Sequence, residues 1–306
     1  MAVAFAVTKK FGEDRGGQLA MLLAYKGFFS LFPLLLALVS VLGLVLSGND
    51  ALRADLIDST LANVPLIGTE ITDGAGSLDG SIVVLVGSVL VSLWAGLGLL
   101  DMLQESLNTT WQVPMVDRPP WALRRLRGLP GAMLIALCAM LSGAARWILA
   151  DDAATVLSWI LAALLPILAG ALGYLGLHWL WCARSVPWRA QLPGAALAGL
   201  GWWGLQTLGG WYATRVVNQS SDTYGAFAVV LGLLSWSYLL GMLYLYSIEL
   251  AAVLHDRRWP RSLSGRDLTD QDLAAYEALA EREVRVAGTT VDIDVPRDPE
   301  PREKPD

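Results

Sequence analysis

Apolar residues in this chain are concentrated in long stretches that contain no Asp, Glu, Lys or Arg. A helix that crosses a bilayer needs about 20 predominantly apolar residues, because a rise of about 1.5 Å per residue must cover roughly 30 Å of hydrocarbon. Strands of a membrane barrel would be about 10 residues long with alternating polarity. The pattern therefore predicts an all-α, polytopic membrane helix bundle. Six transmembrane helices are predicted from the six uncharged stretches of 18 residues or more, at 27–49, 80–100, 128–145, 153–183, 190–214 and 223–248.

The composition agrees with a membrane location. Of the 306 residues, 55% are hydrophobic and 16% are charged, and the mean hydropathy is +0.49. An average soluble domain has about 25% charged residues, so an ordinary soluble enzyme of this length is excluded. The net charge of -6 argues against nucleic acid as a partner, because proteins that bind it are typically basic.

The distribution of Lys and Arg predicts the orientation. With the N-terminus inside, the cytoplasmic segments hold fourteen basic residues and the external segments hold three, apart from five in the distal tail. Basic residues collect on the cytoplasmic side of membrane proteins, so both termini are predicted to be cytoplasmic. The predicted organisation is an N-terminal segment at 1–18, a six-helix domain at 19–254 and a cytoplasmic tail at 255–306.

Two segments outside the membrane have distinctive sequences. The external loop at 50–79 carries six acidic residues and one Arg, which suits a solvated cap or, alternatively, a docking surface for a partner. In the tail, Thr269 is a suitable N-cap, and Leu268 and Leu273 are spaced as a hydrophobic staple. We therefore predict a short helix at 269–286, followed by a disordered end rich in proline and charge.

Four ionisable residues fall close to the inner ends of predicted helices, where charge costs several kcal/mol unless it is paired, hydrated or extended to the interface. One hypothesis is a charged gate or headgroup site, in which Lys26 pairs with Glu249 or Asp101. The alternative is ordinary interfacial charge with long side chains reaching water. The members of this inner charged layer are Lys26, Asp101, Glu105 and Glu249.

A second polar group is predicted at the external turn between the fifth and sixth helices. Such a group could bind a headgroup or a solute at the outer surface, or it could be a tight turn with local backbone hydrogen bonds. Its members are Gln206, Arg215, Asn218, Asp222 and Tyr224.

The fifth predicted helix carries many small residues, including Gly194, Gly199, Gly201 and Gly204. Small residues let helices approach closely, and we interpret them as packing within the chain, with a homo-oligomer as the alternative. Catalytic chemistry has little support in the sequence. A zinc site needs three or four ligands placed together, but His178 and His255 have no neighbouring ligand set. We therefore expect no enzyme activity, no metal and no cofactor.

Several strings resemble the YihY/virulence factor BrkB family of bacterial inner-membrane proteins, formerly labelled ribonuclease BN. They are DRGGQLA at 14–20, AYKGFFSLFP at 24–33, Leu107-Asn108, Val113-Pro114, Tyr224-Gly225 and Glu249-Leu250. The resemblance extends over about residues 14–255, in family order. It implies a multi-pass protein with six helices in the bacterial cytoplasmic membrane.

Taken together, the residues favour a translocator of lipid or small amphiphilic molecules. The rival hypothesis is a scaffold that does not transport and that recruits envelope proteins through its tail or its external loop. A membrane-embedded hydrolase or ribonuclease ranks last. The partners expected are membrane lipids, with envelope proteins and a second copy of the chain as alternatives, and not nucleic acid.

Overall fold

The computed structural model of the chain describes residues 1–45, 82–149, 156–212, 226–263 and 267–296. All regular secondary structure within these ranges is helical, which confirms the all-α part of the predicted fold class. A short 3-10 helix, Met115–Asp117, also lies within them. The α-helices are α1 (Ala2–Glu13), α2 (Gly16–Val45), α3 (Ile82–Thr110), α4 (Trp121–Leu149), α5 (Val156–Trp181), α6 (Trp188–Tyr212), α7 (Ala226–His255) and α8 (Asp270–Arg282).

Helices α2 to α7 coincide with the six uncharged stretches and mostly continue beyond them into charged sequence. In the described part of the chain, three helices are long and apolar enough to cross a membrane: Trp121–Gly143, Val156–Trp181 and Val230–His255. Six crossings with both termini inside therefore remain a prediction. The external loop at 50–79 lies outside the described residues. Pro130 lies inside α4, nine residues after the helix begins at Trp121.

The N-terminal segment forms a helix that the sequence interpretation did not predict. Ala6 and Val7 of α1 are buried against Val253 of α7, and Val3, Tyr246 and Leu250 pack around them. The ring of Phe11 stacks on the ring of Tyr246, with centroids 4.3 Å apart and planes inclined by 6°. Burial of this apolar face stabilises α1, because an isolated helix of 12 residues is marginal in water.

The tail helix α8 begins as predicted. Thr269 is its N-cap, and the side chains of Thr269 and Asp272 form a capping box with each other's backbone N–H groups. The helix ends at Arg282, four residues before the predicted end. Residues 288–296 have no regular secondary structure, and 297–306 lie outside the described residues.

The chain forms two compact units. The first consists of residues 1–20, 103–205 and 241–306, and the second of residues 21–102 and 206–240. The first therefore contains all of α1, α4, α5 and α8, whereas the second contains most of α2 and α3.

Small residues of α6 pack within the first unit. A Cβ atom on Gly194 would lie 2.4 Å from the carbonyl oxygen of Ser247 in α7, and one on Gly199 would lie 2.4 Å from the carbonyl oxygen of Ile167 in α5. Glycine is therefore required at both positions by close helix approach. Packing within the chain is thus the role of these two glycines.

Candidate functional site

An open groove of about 440 Å³ lies in the second unit, between α2 and α7. Its volume falls in the range of small-molecule sites, roughly 300–1,000 Å³. The lining residues recur at intervals of one to four along each helix and so share one helix face. Most are apolar, while three carry hydroxyl groups. The groove is lined by Met21, Ala24 and Tyr25 of α2 and by Leu234, Ser235, Tyr238 and Leu239 of α7.

The exposure of these side chains makes the groove accessible from the protein surface. Tyr25 is 58% exposed and packs at a tilt against Phe29, with ring centroids 4.5 Å apart. Met21 and Leu239 are also exposed. Apolar walls and a few hydroxyl groups suit an amphiphilic ligand, whose chain is buried while its polar part accepts or donates hydrogen bonds. None of these residues is among the site residues predicted from the sequence.

Lys26 and Asp101, two members of the predicted inner charged layer, also belong to the second unit. Lys26 follows Tyr25 on α2, and its Nζ atom donates a hydrogen bond of 3.3 Å to the carbonyl oxygen of Gly98 on α3. Asp101 is half-buried on α3. A half-buried cation, Lys26, therefore directly follows Tyr25, a residue that lines the groove.

The other two members of that layer, Glu105 and Glu249, belong to the first unit, and each is paired with basic residues there. Glu105 lies between two arginines that follow it in sequence: Oε1 accepts a hydrogen bond from Arg118, and Oε2 accepts one of 2.6 Å from Arg124. Glu249 is 1% exposed, and its Oε2 lies 2.8 Å from Nζ of Lys10. Glu249 thus pairs with Lys10 of α1, a cation that the sequence hypothesis did not name.

Lys10 and Glu249 are part of a buried group of charges that we call the α1 cluster, comprising Lys10, Asp14, Glu249 and Arg282. Lys10 is 1% exposed and donates to Asp14 and, over 2.7 Å, to the carbonyl oxygen of Thr110. Asp14 also accepts a hydrogen bond of 2.8 Å from Arg282 of α8. Two cations thus balance two carboxylates, which is the condition for burying charge at low cost.

Burial by itself lowers the pKa of Lys10, but the negative charges of Glu249 and Asp14 outweigh it, so the pKa lies above its ordinary value. Lys10 is therefore a fixed positive charge at neutral pH. The burial of Lys10 could have been predicted from the sequence, because Lys10 follows Ala6 by four residues and so lies on the apolar face of a short helix. A cation on such a face needs a buried partner.

A second group of charges, the tail cluster, comprises Lys9, Glu13, Arg261 and Asp272. The carboxylate of Asp272 is fully buried and accepts hydrogen bonds from Lys9 (2.8 Å), Arg261 (2.6 Å) and the backbone N–H of Ser262 (2.8 Å). Arg261 also reaches Glu13 of α1 over 2.6 Å. Burial opposes ionisation of Asp272, yet these donors hold its pKa well below its ordinary value. The two clusters together attach α8 to α1.

Asn108, part of one of the strings that resemble the known family, connects α3 to the end of α5. Its side-chain amide donates to the carbonyl oxygen of Trp181 over 3.2 Å, and its carbonyl oxygen accepts from the backbone N–H of Ala183 over 2.8 Å. One buried amide thus pairs backbone groups at a helix end that would otherwise lack partners. This arrangement gives Asn108 a structural role.

Other expected features have different outcomes. Gln206 is in α6, whereas Arg215, Asn218, Asp222 and Tyr224, and with them the external polar turn, lie outside the described residues. His178 and His255 both lie beside the ring of Trp111, at centroid distances of 5.2 and 6.0 Å. Among the described residues, no group of three or more His, Cys, Asp or Glu could hold a metal ion.

Comparison with known proteins gives one family and two distant relatives. The family model described as virulence factor BrkB matches residues 7–271. The chain is 24% identical over 249 residues to YfkH of Bacillus subtilis (strain 168), named as ribonuclease-like, with 77% of this chain and 89% of YfkH covered. It is 23% identical over 276 residues to the inner membrane protein YhjD of Escherichia coli (strain K12), with 83% and 81% covered. No solved structure matches the chain.

Proposed function

This chain belongs to the virulence factor BrkB family, and from that premise we propose that it is a translocator of lipids or other small amphiphilic molecules. It is a multi-pass protein of the bacterial inner membrane, in agreement with its apolar helices and with its relative YhjD. The proposal includes six crossings with both termini in the cytoplasm. It assigns no catalytic role to any residue.

The groove between α2 and α7 is the observation that carries the proposal. Both helices coincide with predicted membrane spans, so the groove would be accessible from the lipid without passage through water. Its apolar walls accommodate an acyl chain or an apolar ring system, and the hydroxyl groups of Tyr25, Ser235 and Tyr238 supply hydrogen bonds to a polar end. A groove of this character favours amphiphiles over ions or sugars, which would need a polar lining.

Transport by purified full-length protein in vesicles tests the proposal. A panel of fluorescently labelled lipids and amphiphiles is reconstituted, and movement between leaflets is followed by chemical quenching of the label in the outer leaflet. At least one member of the panel should move faster than in vesicles without protein. If none does, the proposed activity is wrong.

Two substitutions on the same helix make the test specific. Leu239 lines the groove, and Leu231 does not; both are nearly half exposed on α7. Leu239→Trp fills the groove and should slow movement by about tenfold, which corresponds to roughly 1.4 kcal/mol in the barrier. Leu231→Trp should leave the rate unchanged. Equal effects of the two substitutions would exclude the groove as the path.

The scaffold hypothesis is favoured by a different observation, the attachment of α8 by two charge clusters. A rigidly held tail helix presents a fixed outer surface, which includes the exposed Glu277 and Glu281. Reversing these two charges should abolish partner recruitment without changing lipid movement if the tail acts as a docking surface. A cellular phenotype lost on this reversal, together with no lipid movement by the wild type, would favour the scaffold.

A further inference from the structure

Two helices of the first unit begin with the same arrangement of residues. Trp121 is the first residue of α4, and the guanidinium of Arg125 lies 4.6 Å from its ring centroid. Trp188 is the first residue of α6, and the guanidinium of Arg189 lies 5.6 Å from its ring centroid. Both distances are within the range of cation–π contacts. Each pair combines a ring that favours the membrane interface with a positive charge beside it.

The basic residues around the start of α4 differ in how their charge is balanced. Arg118 and Arg124 are paired with Glu105. In the described part of the chain, Arg125, Arg127 and Arg189 have no carboxylate partner, and Nε of Arg125 is buried without a hydrogen-bond acceptor. Three positive charges are thus available to an anion from outside the chain.

Exposed apolar side chains surround these charges. Trp121 and Trp188 are 59% and 61% exposed, and Leu126 is 65% exposed on the first turns of α4. A free phosphate ion has no apolar part that could contact this exposed surface. A phospholipid would use both parts, because its phosphate lies at the level of the arginines while its glycerol and acyl chains lie against the rings and leucines.

The starts of α4 and α6 are connected through Trp181, seven residues before Trp188, because its Nε1 donates a hydrogen bond of 2.9 Å to the carbonyl oxygen of Arg127. From this arrangement the geometry points to a binding surface for anionic phospholipid headgroups in two parts, one at the start of α4 and one at the start of α6. Its residues are Trp121, Arg125, Arg127, Trp188 and Arg189. The surface lies in the first unit, and none of its residues lines the groove, so the inference does not rest on the proposed translocation. Positive charge near an anionic membrane surface favours binding by about fivefold for each Lys or Arg. Bidentate hydrogen bonding by guanidinium groups favours phosphate specifically.

Spin-labelled lipids measure this preference directly on the full chain. The protein is reconstituted into phosphatidylcholine nanodiscs, and the immobilised fraction of labelled phosphatidylglycerol is compared with that of labelled phosphatidylcholine. Phosphatidylglycerol should be preferred several-fold. Salt at 0.5 M should reduce this preference, because a Debye length of roughly a few ångström screens the attraction between the arginines and the headgroup. Equal immobilisation of the two lipids by the wild type would overturn the inference.

Three variants locate the preference. The triple variant Arg125→Gln, Arg127→Gln and Arg189→Gln should lose it, and the corresponding triple Lys variant, which retains the charge, should keep most of it. The control triple Arg15→Gln, Arg257→Gln and Arg285→Gln removes three exposed positive charges elsewhere and should keep it entirely. If the control loses the preference as fully as the first variant, net charge is responsible and the surface is not a binding site.

Inorganic phosphate distinguishes the lipid from the free ion. Millimolar phosphate should leave the immobilised fraction of phosphatidylglycerol unchanged beyond the effect of an equal ionic strength of chloride. Specific competition by phosphate would show that the surface binds free anions and would contradict its assignment as a site for phospholipid headgroups. Each variant is accepted only if it elutes as wild type on gel filtration in detergent, so that loss of folding is not read as loss of binding.

Discussion

Lys10→Met should be one of the most destabilising single substitutions in the chain. Lys10 is 1% exposed, and its ammonium group is within ion-pair distance of Asp14 and Glu249, which are 0% and 1% exposed. Removing one partner of a buried ion pair costs about 3–5 kcal/mol, because the remaining charge is left buried without compensation. Arg282 still pairs with Asp14 in this variant, so the uncompensated charge is that of Glu249.

Removing that remaining charge should restore part of the stability. The double variant Lys10→Met, Glu249→Leu leaves Asp14 with Arg282 and replaces the ion pair by apolar groups, an exchange that is often neutral or favourable. We expect the double variant to be more stable than Lys10→Met alone, with a coupling energy of about 1–3 kcal/mol. The sum of the two single effects would then exceed the effect of the double.

The free energy of unfolding is measured by titrating full-length protein in mild detergent with sodium dodecyl sulfate and following tryptophan fluorescence. Arg15→Met is the matched control, because Arg15 is an exposed cation two residues after the end of α1, and the substitution should change stability by no more than about 0.5 kcal/mol. Additive single effects, or a loss for Lys10→Met no larger than for Arg15→Met, would refute the assignment of a buried α1 cluster.

Further outcomes follow from the tail cluster and from α6. Asp272→Asn should cost about 3–5 kcal/mol, because Lys9 loses its carboxylate and the buried Arg261 keeps only Glu13. Glu277→Gln on the exposed face of α8 should cost no more than about 0.5 kcal/mol, and limited proteolysis of the tail should rank the two variants in that order. Because the pKa of Asp272 is depressed in the folded state, its contribution is complete above the ordinary pKa of 3.8 and is lost as pH falls below it. The difference in thermal midpoint between wild type and Asp272→Asn should therefore be constant above that pH and narrow below it. Gly194→Ala should destabilise by roughly 1–3 kcal/mol, because its Cβ would meet the backbone of Ser247. Gly204→Ala, with open space around the new Cβ, should be neutral or should stabilise α6 by up to about 1 kcal/mol, and thermal unfolding in one detergent compares the two.

The helices were predictable because the signal for a membrane helix is local. Uncharged length is read from one stretch of sequence at a time, and α2 to α7 coincide with the six stretches. The start of α8 was predictable for the same reason, since Thr269, Asp272 and Leu273 lie within five residues. The start of α4 at Trp121 was less predictable, because the helix begins with charged residues such as Arg124 and Arg125, before its apolar part.

The partners of the buried charges were not predictable, because they are distant in sequence. Glu249 was recognised as a costly charge, but nothing local shows that its cation is Lys10 rather than Lys26. The contact between Asp14 and Arg282 joins residues 268 positions apart. The partners of Glu105 are closer in sequence, since Arg118 and Arg124 follow it by 13 and 19 positions. The groove was missed because its residues are apolar or hydroxylated and resemble an ordinary helix face.

The separation of 268 positions between Asp14 and Arg282 also bears on how the protein is made. At roughly 5–20 residues per second, a ribosome finishes α1 some tens of seconds before α8 emerges. During that interval Lys10 and Asp14 have only each other as partners, because Glu249 and Arg282 have not yet been made. The α1 cluster can therefore be completed only after α7 and α8 have both been made, and a chain interrupted before α8 would leave Asp14 without its second cation.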